Sequence, residues 1–260
     1  MINSLWIAKT GMEAQQTQLD IISNNLANVS TNGFKRSHAV FEDLMYQNLR
    51  QVGSNASEQA TLPTGLQIGL GVRTVASARN FSQGNMQQTG NPADISIQGK
   101  GFFQVTMPDG TIGYTRDGSF QIDSQGRIVN ASGLPIVGGG TVPANASGLS
   151  VASNGTITAV VPGSTTPTTV GALTIANFIN PAGLEPKGQN VYAESAASGQ
   201  PTVGTPGADG LGPLMQGYVE TSNVNVVQEL VTMIQTQRAY EMNSKAIQTS
   251  DQMLQKLGQL

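Results

Sequence analysis

Few residues in this chain have the types and spacing that could do chemistry. His38 is the single histidine and there is no cysteine. That removes thiol catalysis, disulfides and zinc ribbons together. One imidazole without a nearby acidic cluster is poor material for a metal site, so His38 is expected to be structural or at the surface. Asp94, Asp109, Asp117 and Asp123 are the carboxylates that could pair for acid–base hydrolysis. The last three lie in or beside turn sequences, where Asp is favoured for backbone reasons. Gly69-Leu70-Gly71 and Gly138-Gly139-Gly140 lack the strand–turn–helix setting of a phosphate loop. No catalytic residue, metal ligand or cofactor is expected.

Composition points elsewhere. Charged residues make up 11% of the 260, less than half of the usual share of about 25%. The net charge of −3 gives no basic field for nucleic acid or an acidic membrane surface. A surface poor in charge can lie against protein on many sides without a large desolvation cost. The first residues, Met1-Ile2-Asn3-Ser4-Leu5-Trp6, do not read as a secretory signal. No apolar run is long enough for a bilayer, so direct membrane insertion is not expected.

The elements that would position any site begin and end with helices, giving an α+β chain. From about Asn3 to Asn28 there is no proline, and Gly11 is the only glycine. Leu5, Ala8, Met12, Leu19, Ile22 and Leu26 form a heptad-like stripe. Val29-Ser30-Thr31-Asn32-Gly33 ends it, with Gly33 able to take positive φ. Asn225, three residues before Gln228, can cap a second helix running toward Leu260. That helix carries two apolar stripes. One holds Val226, Leu230, Met233, Tyr240, Ile247 and Leu254; the other holds Val227, Val231, Ile234, Met242, Ala246, Met253 and Leu257. A two-stranded coiled coil needs one narrow seam, so two stripes ask for more than one neighbour. Two readings stay open: a helical hairpin within one molecule, or helices buried in a polymer.

Between the helices, residues 95–137 read as short strands, with turns at Pro108-Asp109-Gly110, Asp117-Gly118 and Ser124-Gln125-Gly126. Asp-Gly between β-formers signals a hairpin. Further strands are expected at 149–152, 157–161 and 170–178, with a turn at Asn154-Gly155, and residues 195–213 read as a loop. The expected division is an N-terminal helix at 1–33, an extended connection at 34–90, a β-rich domain of hairpins at 91–222 and a C-terminal helix at 223–260. The two helices together would form a coiled-coil-like domain.

The run Ile22-Ser23-Asn24-Asn25-Leu26-Ala27-Asn28-Val29-Ser30-Thr31-Asn32-Gly33-Phe34-Lys35 closely resembles the signature of bacterial flagellar basal-body rod and hook proteins. The run from Glu229 to Glu241, continuing through Asn243 to Thr249, looks like the same family's C-terminal helix. Asn91 to Ile97, Gly99 to Phe103, and Tyr114 to Phe120 resemble its β domain. The resemblance implies a structural subunit that assembles with copies of itself into an open helical polymer. It implies helices packing through Leu5, Met12, Leu19, Ile22, Leu26, Val227, Leu230, Ile234, Tyr240, Ile247 and Leu254. The motif residues are Asn25, Leu26, Ala27, Asn28, Thr31, Gly33, Phe34 and Lys35.

The connection around Tyr46, Leu49, Val52, Gly53, Leu62, Pro63 and Gly65 is similar to what distinguishes the family's distal-rod members from its hook members. This implies that it packs between subunits and stiffens a straight tube; a flexible surface linker is the alternative. The implied partners are proximal rod subunits, hook subunits, the surrounding bushing rings and, in transit, the flagellar export apparatus, with export not needing a cleaved signal. Three rivals remain: a proximal rod or hook subunit, a secreted β-rich binding module, and a hydrolase.

Overall fold

In a computed structural model, residues 2–50, 55–57, 60–61, 64–162 and 167–258 are described. The uninterrupted N-terminal segment forms α1, Ile2–Ala27. It stops at a turn where Gly33 has φ +69°, a conformation that a side chain would strain. The second helix, α2, is Val226–Leu257, and the Asn225 side chain accepts from Gln228 N as its cap. The chain divides into two compact units. One comprises residues 1–26, 37–78 and 225–260, the other 27–36 and 79–224.

In the helical unit α1 and α2 run antiparallel. Gly11 lies so close to Asn243 that an added Cβ would sit 2.9 Å from Nδ2, and Asn25 Nδ2 donates to Glu229 Oε2 at 3.3 Å. The two contacts are equally spaced on both helices, in opposite order. The expected connection is a long two-stranded ribbon. Strands β1 (Ser37–Asp43), β2 (Tyr46–Arg50) and β3 (Asn55–Ser57) run out; β4 (Ala60–Thr61), β5 (Leu66–Gly69) and β6 (Val72–Arg79) run back. They pair β1 with β6, β2 with β5 and β3 with β4. A bulge falls between Asn48 and Arg50. The outgoing and returning segments lack a tight-turn dipeptide between them, which is why the sequence reads as a single extended passage.

This ribbon lies along α1. Asn25 holds Ser37, Val72 N donates to Thr10 Oγ1 at 3.4 Å, and Asn3 donates to Gln47 at 3.0 Å. From Asn25 back to Asn3 is about 33 Å at helical rise, and from Ser37 to Gln47 is about 33 Å at strand rise. Beyond Gln47 there is no more of α1 to lie against.

The β unit contains β7 (Met86–Gln88), β8 (Ile95–Ile97), β9 (Phe102–Thr106), β10 (Ile112–Thr115), β11 (Phe120–Ile122), β12 (Ile128–Asn130), β13 (Gly148–Val151) and β14 (Thr156–Val160). It continues with β15 (Thr168–Ala172), β16 (Ile175–Asn177), β17 (Glu185–Gly188), β18 (Val191–Ala193), β19 (Thr202–Gly204), β20 (Leu214–Gln216) and β21 (Tyr218–Glu220). The main sheet has the order β17-β18-β10-β9-β16-β19, and β13-β14-β15 form a second sheet. Strand β9 is buried on both faces. Phe103 joins Ile95, Phe120, Ile157 and Ile175 on one side, while Phe102 joins Tyr114, Phe178 and Tyr192 on the other.

The turns at Asp109-Gly110, Gln125-Gly126 and Asn154-Gly155 do join paired strands. Asp117-Gly118 does not. Strand β10 pairs with β9 and β18, and β11 with β12. Gly118 instead passes against β8: its carbonyl accepts from Ile95 N at 2.9 Å, and a Cβ there would lie 1.7 Å from Ile95 O. Part of the expected loop at 195–213 is the edge strand β19, which pairs with β16. Strands β20 and β21 close the unit by pairing with β8 and β7. Such long-range pairings have no local signal.

Candidate assembly surfaces

The carboxylates that could have made a catalytic pair are spent on turns. Asp109 accepts from Thr111 N and Oγ1, and these bonds lower its pKa. Asp123 accepts from Arg127 and Gln125, and its pKa is lowered, chiefly by the Arg127 bond. Asp117 is pushed up by burial, against the hydrogen bonds from Ser119 that favour its charged form. Asp94 accepts from Thr89 and Asn91. His38 is exposed. A cleft of about 350 Å³ is lined by Phe81, Phe102, Phe178 and Arg116. The Arg116 guanidinium donates to the carbonyls of Gly101 and Gly99 in the wall of that cleft.

The motif at 22–35 does mechanical work in each unit. Within the helical unit, Asn25 is buried and acts like a strand edge. Its Nδ2 donates to Ser37 O at 2.8 Å and its Oδ1 accepts from Ser37 N at 2.9 Å. The same side chain reaches Glu229 in the first turn of α2. One asparagine thus fixes the start of the ribbon against both helices. Leu26 is half-buried and Ala27 exposed.

Within the β unit, Thr31 N donates to Asn28 O and Phe34 N to Thr31 O, which makes the turn compact. Phe34 and Lys35 are buried. Lys35 Nζ meets Glu220 Oε1 at 2.5 Å and donates to Ser82 O at 2.8 Å. Gly33 N donates to Glu220 O, and Gly84 N to Glu220 Oε1. Arg116 Nε lies 3.3 Å from Glu220 Oε2, an ion pair without hydrogen-bond alignment. Burial lowers the Lys35 pKa, the Glu220 carboxylate opposes this, and Arg116 adds to it. The sequence marked Lys35 by resemblance alone. Its partner Glu220, and Arg116 at the other oxygen of that carboxylate, were missed, because nothing local links positions so far apart.

The expected assembly residues divide by exposure. On α1, Ile22 is buried, while Leu5, Met12, Leu19 and Leu26 are half-buried. The residues buried with Ile22 are Ala8, Thr10, Ala14 and Asn25, so the contact within the chain is small and polar rather than a leucine seam. On α2, Ile247 is half-buried, whereas Val227, Leu230, Ile234, Tyr240 and Leu254 are exposed, Val227 to 71%. On the ribbon Tyr46, Leu49, Leu66 and Ile68 are exposed, and Met45 reaches 81%. Gly65 is half-buried. Val52, Gly53, Leu62 and Pro63 lie outside the described residues. Apolar surface on this scale, on helices and ribbon together, is uncommon on a solitary molecule.

Three family models match the chain. "Flagella basal body rod protein" matches residues 5–35, "Flagellar hook protein FlgE/F/G D1 domain" residues 96–159, and "Flagellar basal body rod FlgEFG protein C-terminal" residues 215–260. The flagellar basal-body rod protein FlgG of Buchnera aphidicola subsp. Acyrthosiphon pisum is 60% identical over the whole of both chains. The chain belongs to the flagellar basal-body rod family. It is a structural subunit of the flagellar rod, and its place is the basal body. The rod protein FlgG of Borreliella burgdorferi is 46% identical over 98% of this chain and 97% of that protein. The hook protein FlgE of Helicobacter pylori is 43% identical, over 53% of this chain and 19% of that protein. The rod-family matches at the two ends cover α1 with its motif turn, and β20, β21 and α2. No helix among the described residues is long and apolar enough to cross a membrane.

Proposed function

We propose that this chain builds the distal rod, polymerising into a straight, stiff helical tube that carries motor torque across the periplasm to the hook. The exposed ribbon supports this reading most directly. It follows α1 for the helix's length and then outruns it, with Leu49 and Leu66 uncovered. A side chain there can be covered by a neighbouring subunit, and a strut wedged between neighbours resists bending. The exposed stripes of α2 supply the remaining contacts. Unlike patches meeting head to tail generate an open screw when the rotation does not close. The implied partners are proximal rod subunits at one end, hook subunits at the other, the bushing rings outside, and the export apparatus in transit.

Replacing residues 46–67 with a short linker tests the strut. The expected polymer is more bendable, with a shorter persistence length by electron microscopy. Unchanged stiffness would remove the ribbon from the explanation.

A further inference from the structure

Two exposed helix faces carry matching patterns. On α1, Trp6, Lys9 and Glu13 follow at spacings of three and four residues, along one face. Trp6 is 52% exposed. Lys9 Nζ lies 5.1 Å from the centre of its ring and 3.6 Å from the Glu13 carboxylate. On α2, Arg238, Glu241 and Lys245 follow at the same spacings and line one shallow groove with Ile234 and Met242. Read antiparallel, α1 offers aromatic, cation, anion; α2 offers cation, anion, cation. Trp6 then opposes Lys245, Lys9 opposes Glu241, and Glu13 opposes Arg238.

The chain's own α2 cannot supply this match. The register set by Gly11 at Asn243 and Asn25 at Glu229 puts Lys9 level with Lys245 and Glu13 level with Glu241, so opposite charges do not line up within the chain. A slip of about one helical turn, roughly 5 Å, brings Lys9 level with Glu241 and Glu13 level with Arg238. Only another molecule can be displaced in that way. In an open helical assembly all copies point the same way, so a neighbour's α2 is antiparallel to α1 just as the chain's own is.

We propose that the Trp6 face of α1 docks on the Arg238–Lys245 face of α2 in a second copy, with Trp6 as the anchor. This rests on the polymer reading and adds which faces meet. Exposed ion pairs contribute little each, so they set register. Burial of the indole beside Lys245 supplies the attraction.

Trp6 is the chain's only tryptophan, so its fluorescence reports on the contact in the full chain. As polymer forms, its emission is expected to move to shorter wavelength and acrylamide quenching to fall about threefold. Polymer whose Trp6 stays as quenchable as in dilute protein overturns the docking and leaves the polymer standing. No polymer at any concentration removes both. In a second experiment, Glu241→Lys should raise the concentration needed for assembly about tenfold, and adding Lys9→Glu should bring it back. A double variant no better than the single one, with helix content intact by circular dichroism, also overturns the docking.

Discussion

The β unit and the helical unit solve the burial problem in opposite ways. In the β unit Phe103, Ile95, Ile157 and Ile175 are sealed from solvent by their own chain, and even the charges of Lys35, Glu220 and Arg116 are paired inside. In the helical unit the large apolar side chains Val227, Leu230, Val231, Ile234 and Met242 face outward. Apart from Ile22, what is sealed there is small or polar: Ala8, Thr10, Ala14, Asn25, Glu229 and Thr236. A domain core is normally assembled from the largest apolar residues available. Their reversal in one unit and not the other separates a part that folds for itself from a part made to be covered.

The strongest way to break that comparison is to place a charge on the outward face. Leu230→Asp, or Ile247→Asp, should abolish polymer formation in sedimentation assays, because a carboxylate would be buried without a partner. For Leu230→Asp the isolated chain's unfolding free energy, read from urea titration, should change by about 0.5 kcal/mol or less. Normal assembly by both variants would show that the outward stripes are ordinary surface.

Inside the β unit the order of effects should reverse. Phe103→Ala is expected to cost about 3–5 kcal/mol of that unit's stability through the cavity it leaves, read from urea unfolding. Glu220→Gln keeps the shape of the side chain but leaves Lys35 and Arg116 buried without their counter-charge. A loss of about 3–5 kcal/mol is expected. A loss below about 1 kcal/mol would mean that hydration, not the ion pair, satisfies those groups.

Asn25→Ala should cost less than either β-unit variant, about 1–3 kcal/mol, from two unmet backbone groups on Ser37. It sharpens the comparison because its effect should be local. Hydrogen exchange is expected to quicken at Ser37 and in the first turn of α2, and to stay unchanged at Phe103 and Ile175.

Much of this was legible in order along the chain. Both helices follow from long segments free of proline, and the Asn225 cap from one residue type at the right offset. The turns at Asp109, Gln125 and Asn154 follow from dipeptides that favour tight reversal. The same rule failed at Asp117-Gly118, where a close pass against Ile95 O asks for a glycine as strongly as a hairpin does. The ribbon was hidden because its strands answer each other across many residues. Tyr46 meets Gly69 and Asn48 meets Gln67, and neither pair leaves a local trace.

The sequence by itself determined which segments become helix, where most short strands turn, and that the C-terminal helix carries two apolar stripes. These depend on backbone preferences and periodicity, which act over a few residues. The folded chain alone decided that Lys35 and Arg116 meet Glu220, that Asn25 holds Ser37 and Glu229, and that the connection doubles back along α1. Each of these joins groups far apart in the chain, and such contacts are selected by simultaneous packing, charge pairing and hydrogen bonding, not by neighbours in sequence.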